Sequence, residues 1–98
     1  MAFETKVVVV GGGVTGLCAA HYLEQAYGAD AVLLLEASEY VGGHTRTDRE
    51  GGFSVDWGPN GFLDREPLTL KWAEDIGIAG ELVRANDNAA HRFVMKNG

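Results

Sequence analysis

The stretch that most constrains this chain is VVVVGGGVTGLCAA, Val7 to Ala20. Four β-branched residues run into three glycines and then into small and apolar residues at helical spacing. The run from Lys6 to Val10, valine at every position after the lysine and closed by glycine, reads as a strand buried on both faces, as in parallel sheets. From Val14 to about Tyr27 the pattern is helical, with Leu17, Ala20 (or Cys18), Leu23 and Ala26 as its packing stripe and Gly28 as its stop signal. Ala31 to Leu35 reads as a second buried strand ending at Glu36. Strand, helix and strand with short links form a βαβ unit over about residues 5–36. Such a unit almost always crosses over right-handed into a parallel sheet.

The glycines carry the chemistry. Gly11, Gly13 and Gly16 fit G-x-G-x-x-G at the strand-to-helix turn. One glycine permits the tight turn, another clears a side chain from the path of a pyrophosphate, and the third lets helix and strand pack closely. The first helical turn, at Val14 and Thr15, then offers unpaired N–H groups and the positive end of the helix dipole to phosphate. Alone, a glycine-rich turn is weak evidence, because many sheets use one for steric reasons. Here Glu36 ends the second strand twenty residues after Gly16, with Ala37 beside it. A carboxylate at that position accepts hydrogen bonds from the hydroxyls of an adenosine ribose and repels a 2′-phosphate. The expected fold class is therefore α/β, a Rossmann-like dinucleotide-binding unit with a parallel sheet, and NADP is not the expected ligand. A P-loop is excluded, since no Lys-Ser or Lys-Thr follows the glycines.

Composition narrows the partners. With 98 residues there is room for one modest core, and with 14 Asp+Glu against 8 Lys+Arg the chain lacks the basic surface that nucleic acid requires. A single cysteine, Cys18, allows neither an internal disulfide nor a thiolate metal cluster, and reads as a packing residue. It points to a reducing compartment, so a cytoplasmic location is expected. The opening apolar run is too short for a membrane span and has no basic segment before it, so no signal peptide is expected. His21, His44 and His91 lack metal-ligand spacing, and no metal is assigned.

Beyond Glu36 the pattern loosens. Residues 41–47 form a loop around the pair Gly42-Gly43, Glu50-Gly51-Gly52 is a turn, and Phe53 to Val55 is a short strand. Trp57 to Asp64 is an irregular loop, followed by a helix from about Pro67 to Ile76 with Leu68, Trp72 and Ile76 on one face and Gly77 closing it. A helical turn is expected near Gly80 to Val83, and a strand from Arg92 to Met95. The apolar residues after Gly61 call for a covering surface that the chain lacks, and its end at Lys96-Asn97-Gly98 reads as cut rather than finished. Trp57 and Trp72 read as packing residues rather than ring stackers. Asp56 reads as a turn-stabilising acid. Adjacent glycines at 42 and 43 admit a bound group close to the backbone, and Arg46 just beyond can pair with phosphate.

Strand, G-x-G-x-x-G, terminal Glu36 and the following G-G-x-x-R of Gly42, Gly43 and Arg46 together resemble the N-terminal motif of the flavin amine oxidase and protoporphyrinogen oxidase superfamily. The second half, with Gly58-Pro59-Asn60-Gly61-Phe62-Leu63, Glu66-Pro67 and Ala90-His91-Arg92-Phe93, resembles oxygen-dependent protoporphyrinogen and coproporphyrinogen oxidases. The first half is shared across the superfamily and speaks only for the cofactor. His44 departs from the Lys or Arg common there. The resemblance implies FAD as cofactor and a tetrapyrrole as substrate. It also implies molecular oxygen as electron acceptor in heme biosynthesis, and membrane attachment in some members. It implies that Gly58, Pro59 and Asn60 border the flavin and that Arg92 meets a propionate of the substrate. Without it, the Gly58–Gly61 loop reads equally as a surface turn, and Arg92 as part of a solvated face. The enzymes concerned are several times longer, so these residues are expected to form the N-terminal part of a larger FAD-binding domain, inactive alone. No catalytic residue and no oligomeric state can be read. Another FAD amine oxidase, a carotenoid desaturase relative and a non-catalytic dinucleotide-binding module are the rival readings.

Overall fold

In the computed structural model, residues 5–90 and 93–97 are described, and the chain divides into two compact units after Leu63. The first holds β1 (Val7–Val10), α1 (Val14–Tyr27), a 3-10 turn at Ala29–Ala31, and β2 (Val32–Leu35). β1 and β2 pair in parallel, from Val7 opposite Val32 to Val10 opposite Leu35. The βαβ unit thus stands as the glycine and valine pattern requires, with Ala31 in the turn before β2 rather than in the strand. Parallel pairing puts both strand ends, Val10 and Leu35, at one edge. There Gly11 N–H donates to the Leu35 carbonyl at 2.7 Å, so the chain leaves the sheet on a fixed path into α1.

Two packing expectations need correction. β1 and β2 are not buried on both faces: exposure alternates along β1, and Val8, Val10 and Leu35 are 49%, 81% and 49% exposed. A parallel pair covered by one helix has one sheltered face, and the other carries the remaining apolar side chains. On α1, Leu17, Ala20 and Leu23 are half-buried, but Ala26 is exposed. Fourteen helical residues span about 21 Å against roughly 13 Å for four strand residues, so the last turn of α1 runs past the sheet.

The same unit continues into an antiparallel hairpin, β3 (Thr47–Glu50) and β4 (Phe53–Asp56), with Glu50 opposite Phe53 at the turn. Gly51 and Gly52 both have positive φ, +60° and +82°, as a type I′ hairpin turn demands. Phe53 to Val55 was expected as a strand. Its partner Thr47–Glu50 was not, because TDRE has no apolar alternation, and Thr47, placed in the glycine-pair loop, opens that strand. The hairpin is joined by side chains as well: Thr47 Oγ1 donates to Asp56 Oδ1 at 2.6 Å.

The second unit contains α2 (Pro67–Asp75) and 3-10 turns at Ala79–Glu81 and Asp87–Ala90. The Gly58–Gly61 loop falls in the first unit and α2 in the second. Pro67 occupies the first turn of α2, where its missing N–H costs nothing. At the other end Gly77, φ +83°, donates to the Glu74 carbonyl at 3.1 Å and Ile78 to Ala73 at 2.9 Å. These are the two bonds of a Schellman close. The buried residue of α2 is Ala73, beneath that close, while Leu68 is 67% exposed, so the expected Leu68–Trp72–Ile76 face is only partly sheltered. Trp72 Nε1 is buried and has no hydrogen-bond partner among the described residues. The helical turn expected near Gly80 lies at Ala79–Glu81. The expected strand at Arg92–Met95 is not formed at Phe93, Val94 and Met95, which are exposed and belong to no strand among the described residues. The described part of this unit has no strand for them to pair with, and a strand without a ladder leaves its amides to water. Arg92 and His91 lie outside the described residues.

Candidate dinucleotide site

The turn at the top of β1 is organised around a glycine the motif does not count. Gly12 is buried, its N–H donates to Glu36 Oε1 at 2.8 Å, and its carbonyl accepts from Gly42 N–H at 2.7 Å. A Cβ on Gly12 would stand 3.0 Å from Val41, 3.3 Å from Glu36 and 3.3 Å from Leu34. Gly12 therefore ties the glycine turn to the strand-end carboxylate on one side and to the glycine pair on the other. Its signal in the sequence is only that the turn reads Gly-Gly-Gly where two glycines would meet the pattern.

The three motif glycines take distinct tasks. Gly11 has φ +99°, a conformation costly for any residue with a Cβ. Gly16 faces the Gly11 carbonyl so closely that a Cβ would lie 1.8 Å from its oxygen, which is the close approach of helix to turn. Gly13 is the N-cap of α1, and a Cβ there would meet nothing within 4 Å. The N-terminus of α1 has no side-chain cap and no acidic residue in its first turn, so the Val14, Thr15 and Gly16 N–H groups have no partner within the helix.

Gly42 and Gly43 close the other side of the same turn. Gly13 and Gly42 form a parallel β-bridge, and a Cβ on Gly43, which has φ +61°, would lie 3.2 Å from Gly13 Cα. The two glycine sets predicted separately thus meet backbone to backbone.

Glu36 is held as an acceptor. Its Oε2 takes hydrogen bonds from Ser38 N–H and Ser38 Oγ–H, both at 2.7 Å, and its Oε1 takes Gly12 N–H. The Ser38 backbone bond, then the Gly12 bond, then the Ser38 hydroxyl lower its pKa from the ordinary 4.5 to about 2. Because the folded value lies below the unfolded one, the contribution of Glu36 to stability is full above about pH 4.5 and is lost as pH falls toward 2. An NMR titration of the Glu36 side-chain carboxyl should therefore show it still ionised at about pH 3.5, where a free glutamate is mostly protonated. A midpoint near the ordinary value would mean that these three donors are not in place. Ala37 is the exposed residue between Glu36 and Ser38, and an open depression beside them is lined by Leu34, Glu36, Ser38, Glu39, Tyr40 and Val41.

Arg46 is already engaged. Its Nε lies 3.3 Å from Asp48 Oδ1, and its guanidinium sits 4.6 Å from the Tyr40 ring centroid and 5.1 Å from that of Trp57. Tyr40, first, and the Asp48 charge hold it further into the protonated range. Trp57 in turn donates from Nε1 to Asp48 Oδ2 at 2.6 Å and from its backbone N–H to the Arg46 carbonyl at 2.8 Å. Trp57, expected to pack, is 64% exposed and serves instead as one wall of this cation–aromatic clasp. Gly58 follows directly, and a Cβ on it would lie 2.4 Å from the His44 carbonyl oxygen. Of the Gly58-Pro59-Asn60 loop, then, Gly58 is brought against the glycine-pair loop, while Pro59 and Asn60 are exposed. Among the described residues no three His, Cys, Asp or Glu side chains gather as a metal site, and no helix is long and apolar enough to cross a membrane.

Comparison with known proteins agrees with this geometry. Residues 9–75 match the family described as NAD(P)-binding Rossmann-like domain. The chain is 40% identical over 96 residues to protoporphyrinogen oxidase 1, chloroplastic, of Arabidopsis thaliana, covering 96% of this chain and 18% of that protein. It is 42% identical over 82 residues to coproporphyrinogen III oxidase of Propionibacterium freudenreichii, covering 84% of this chain and 15% of that one. It is also 40% identical over 87 residues to an L-amino-acid oxidase of Pseudechis australis, covering 86% of this chain and 16% of that protein. A crystal structure of a proposed protoporphyrinogen oxidase from Exiguobacterium sp. 255-15 superposes with TM-score 0.72 at 40% identity, over 87% of this chain and 19% of its own. The chain thus spans less than a fifth of the length of each protein it is compared with here. With the βαβ unit, the glycine turn and the strand-end carboxylate all in place, this chain belongs to the NAD(P)-binding Rossmann-like domain family.

Proposed function

We propose that these residues form the FAD-binding N-terminal part of an oxygen-dependent flavoenzyme that oxidises a porphyrinogen to a porphyrin, as in heme biosynthesis. The observation that carries the reading is the 40% identity to a protoporphyrinogen oxidase over 96 residues, which runs through the second half of the chain and not only the glycine turn. The open position at Gly13, the uncapped start of α1 and the ionised Glu36 fit an adenosine pyrophosphate. Gly11, Gly13, Gly16 and the Val14 and Thr15 amides would hold the pyrophosphate, and Glu36, flanked by Ala37, the ribose. Gly42 and Gly43 would let the cofactor pass close to the backbone. Arg46 would contribute positive charge from its aromatic clasp, and Gly58, Pro59 and Asn60 would border the ring. Bound FAD supplies hydride acceptance and reoxidation by oxygen; these residues supply binding, orientation and shelter from water. Arg92 would pair with a substrate carboxylate.

The test is a graft. Residues 1–98 replace the matching N-terminal stretch of the Arabidopsis relative, and the product is assayed for bound flavin and for porphyrin fluorescence from supplied porphyrinogen. Flavin retention with porphyrin formation is expected. A graft that retains flavin but forms no porphyrin contradicts the substrate class, and one without flavin contradicts the cofactor. The match to an L-amino-acid oxidase favours a second reading, an amine-oxidising relative. Grafting into that enzyme, with peroxide release as readout, compares the two.

A further inference from the structure

Glu36 can accept about four hydrogen bonds, two on each oxygen, when ionised. Ser38 alone uses two of them. Its backbone N–H and its hydroxyl both reach Oε2 at 2.7 Å, while Oε1 receives Gly12 N–H alone among the described residues. The Ser38 hydroxyl has a second acceptor within reach, the Tyr40 carbonyl at 2.8 Å. An ionised carboxylate is the stronger acceptor of the two, so the proton stays on the Glu36 side.

We infer that Ser38 is a specificity residue for the adenosine ribose: by filling Oε2 it leaves Glu36 one open acceptor position, on Oε1 beside the Gly12 amide, so that the ribose diol is read through a single hydrogen bond. This rests on the dinucleotide reading of the site and not on FAD, since the adenosine diphosphate half is common to FAD and NAD. Removing the hydroxyl frees a second position on the same carboxylate, and the second ribose hydroxyl then gains an acceptor. Ser38 touches no reacting atom and acts through Glu36.

The probes are ADP, 2′-deoxy-ADP and 3′-deoxy-ADP, titrated calorimetrically into the chain. For the unaltered chain, one deoxynucleotide should bind roughly tenfold more weakly than ADP and the other like ADP, as the loss of one bond to a charged acceptor implies. In Ser38→Ala both deoxynucleotides should bind more weakly than ADP, and in Ser38→Thr, which keeps the hydroxyl, the single-hydroxyl pattern should return. A merely structural role for Ser38 would lower all three affinities together and leave their ratios unchanged. Equal sensitivity to both hydroxyls in the unaltered chain, or an unchanged pattern in Ser38→Ala, overturns the inference. Absence of ADP binding overturns both it and the dinucleotide reading. ADP binding with the expected ratios but no preference for FAD overturns only the flavin assignment.

Discussion

Gly16→Ala should strongly destabilise the chain. The added methyl would lie 1.8 Å from the Gly11 carbonyl oxygen and 3.0 Å from its carbon, both backbone atoms that no rotamer change can move. Relief requires α1 to shift away from the turn, which breaks the Gly11–Leu35 and Gly12–Glu36 bonds that anchor the turn to β2. Overpacking of this kind costs about 3 kcal/mol or more, a large share of what a small domain has to lose. Gly13→Ala is the contrasting variant. Its backbone, φ −75° and ψ −177°, suits alanine, and the methyl enters open space. Stability should change by no more than about 0.5 kcal/mol, while dinucleotide affinity falls because the methyl occupies the phosphate approach. Chemical denaturation of the two variants, with a dinucleotide titration of Gly13→Ala, separates a glycine the fold requires from one reserved for the ligand. Equal destabilisation by both would contradict that division of labour.

Gly58→Ala should loosen the clasp around Arg46. The methyl would meet the His44 oxygen at 2.4 Å and the His44 Cβ at 3.1 Å. The neighbouring bond from Trp57 N–H to the Arg46 carbonyl is the one most exposed to the displacement. A cost of about 2 kcal/mol is expected, concentrated where the hairpin joins the glycine-pair loop. Hydrogen exchange should report it as faster exchange at Trp57 with the β1–β2 amides unchanged. Uniform acceleration across the unit would mean that Gly58 supports the whole fold rather than this junction.

The legible parts of the fold were those with a local cause. Val7–Val10, Gly11 and the helical spacing after Val14 mark the βαβ unit through local apolar patterning and glycine's conformational freedom, and Gly51-Gly52 marks the hairpin turn. Thr47–Glu50 was not legible, because a hairpin strand with little burial needs no apolar alternation and is defined by the partner it pairs with. Burial was overestimated for Val8, Val10 and Leu35, since an apolar run records what a complete sheet would cover, not what two strands and one helix do cover. At the site, Gly11, Gly13, Gly16 and Glu36 were readable from their spacing. The roles of Gly12 and Ser38 were not, because both depend on where the Glu36 oxygens end up in space. Arg46 was readable as a cation near the glycine pair, but its enclosure by Tyr40, Trp57 and Asp48 comes from the register of β3 against β4.

We propose that the glycine turn, with Glu36 and the pair Gly42-Gly43, forms half of a flavin site. Side-by-side calorimetric titration of the chain with FAD, NAD and NADP tests it most directly. FAD should bind most tightly, and NADP least, since its 2′-phosphate would meet the ionised Glu36. Tighter binding of NAD than of FAD would contradict the claim.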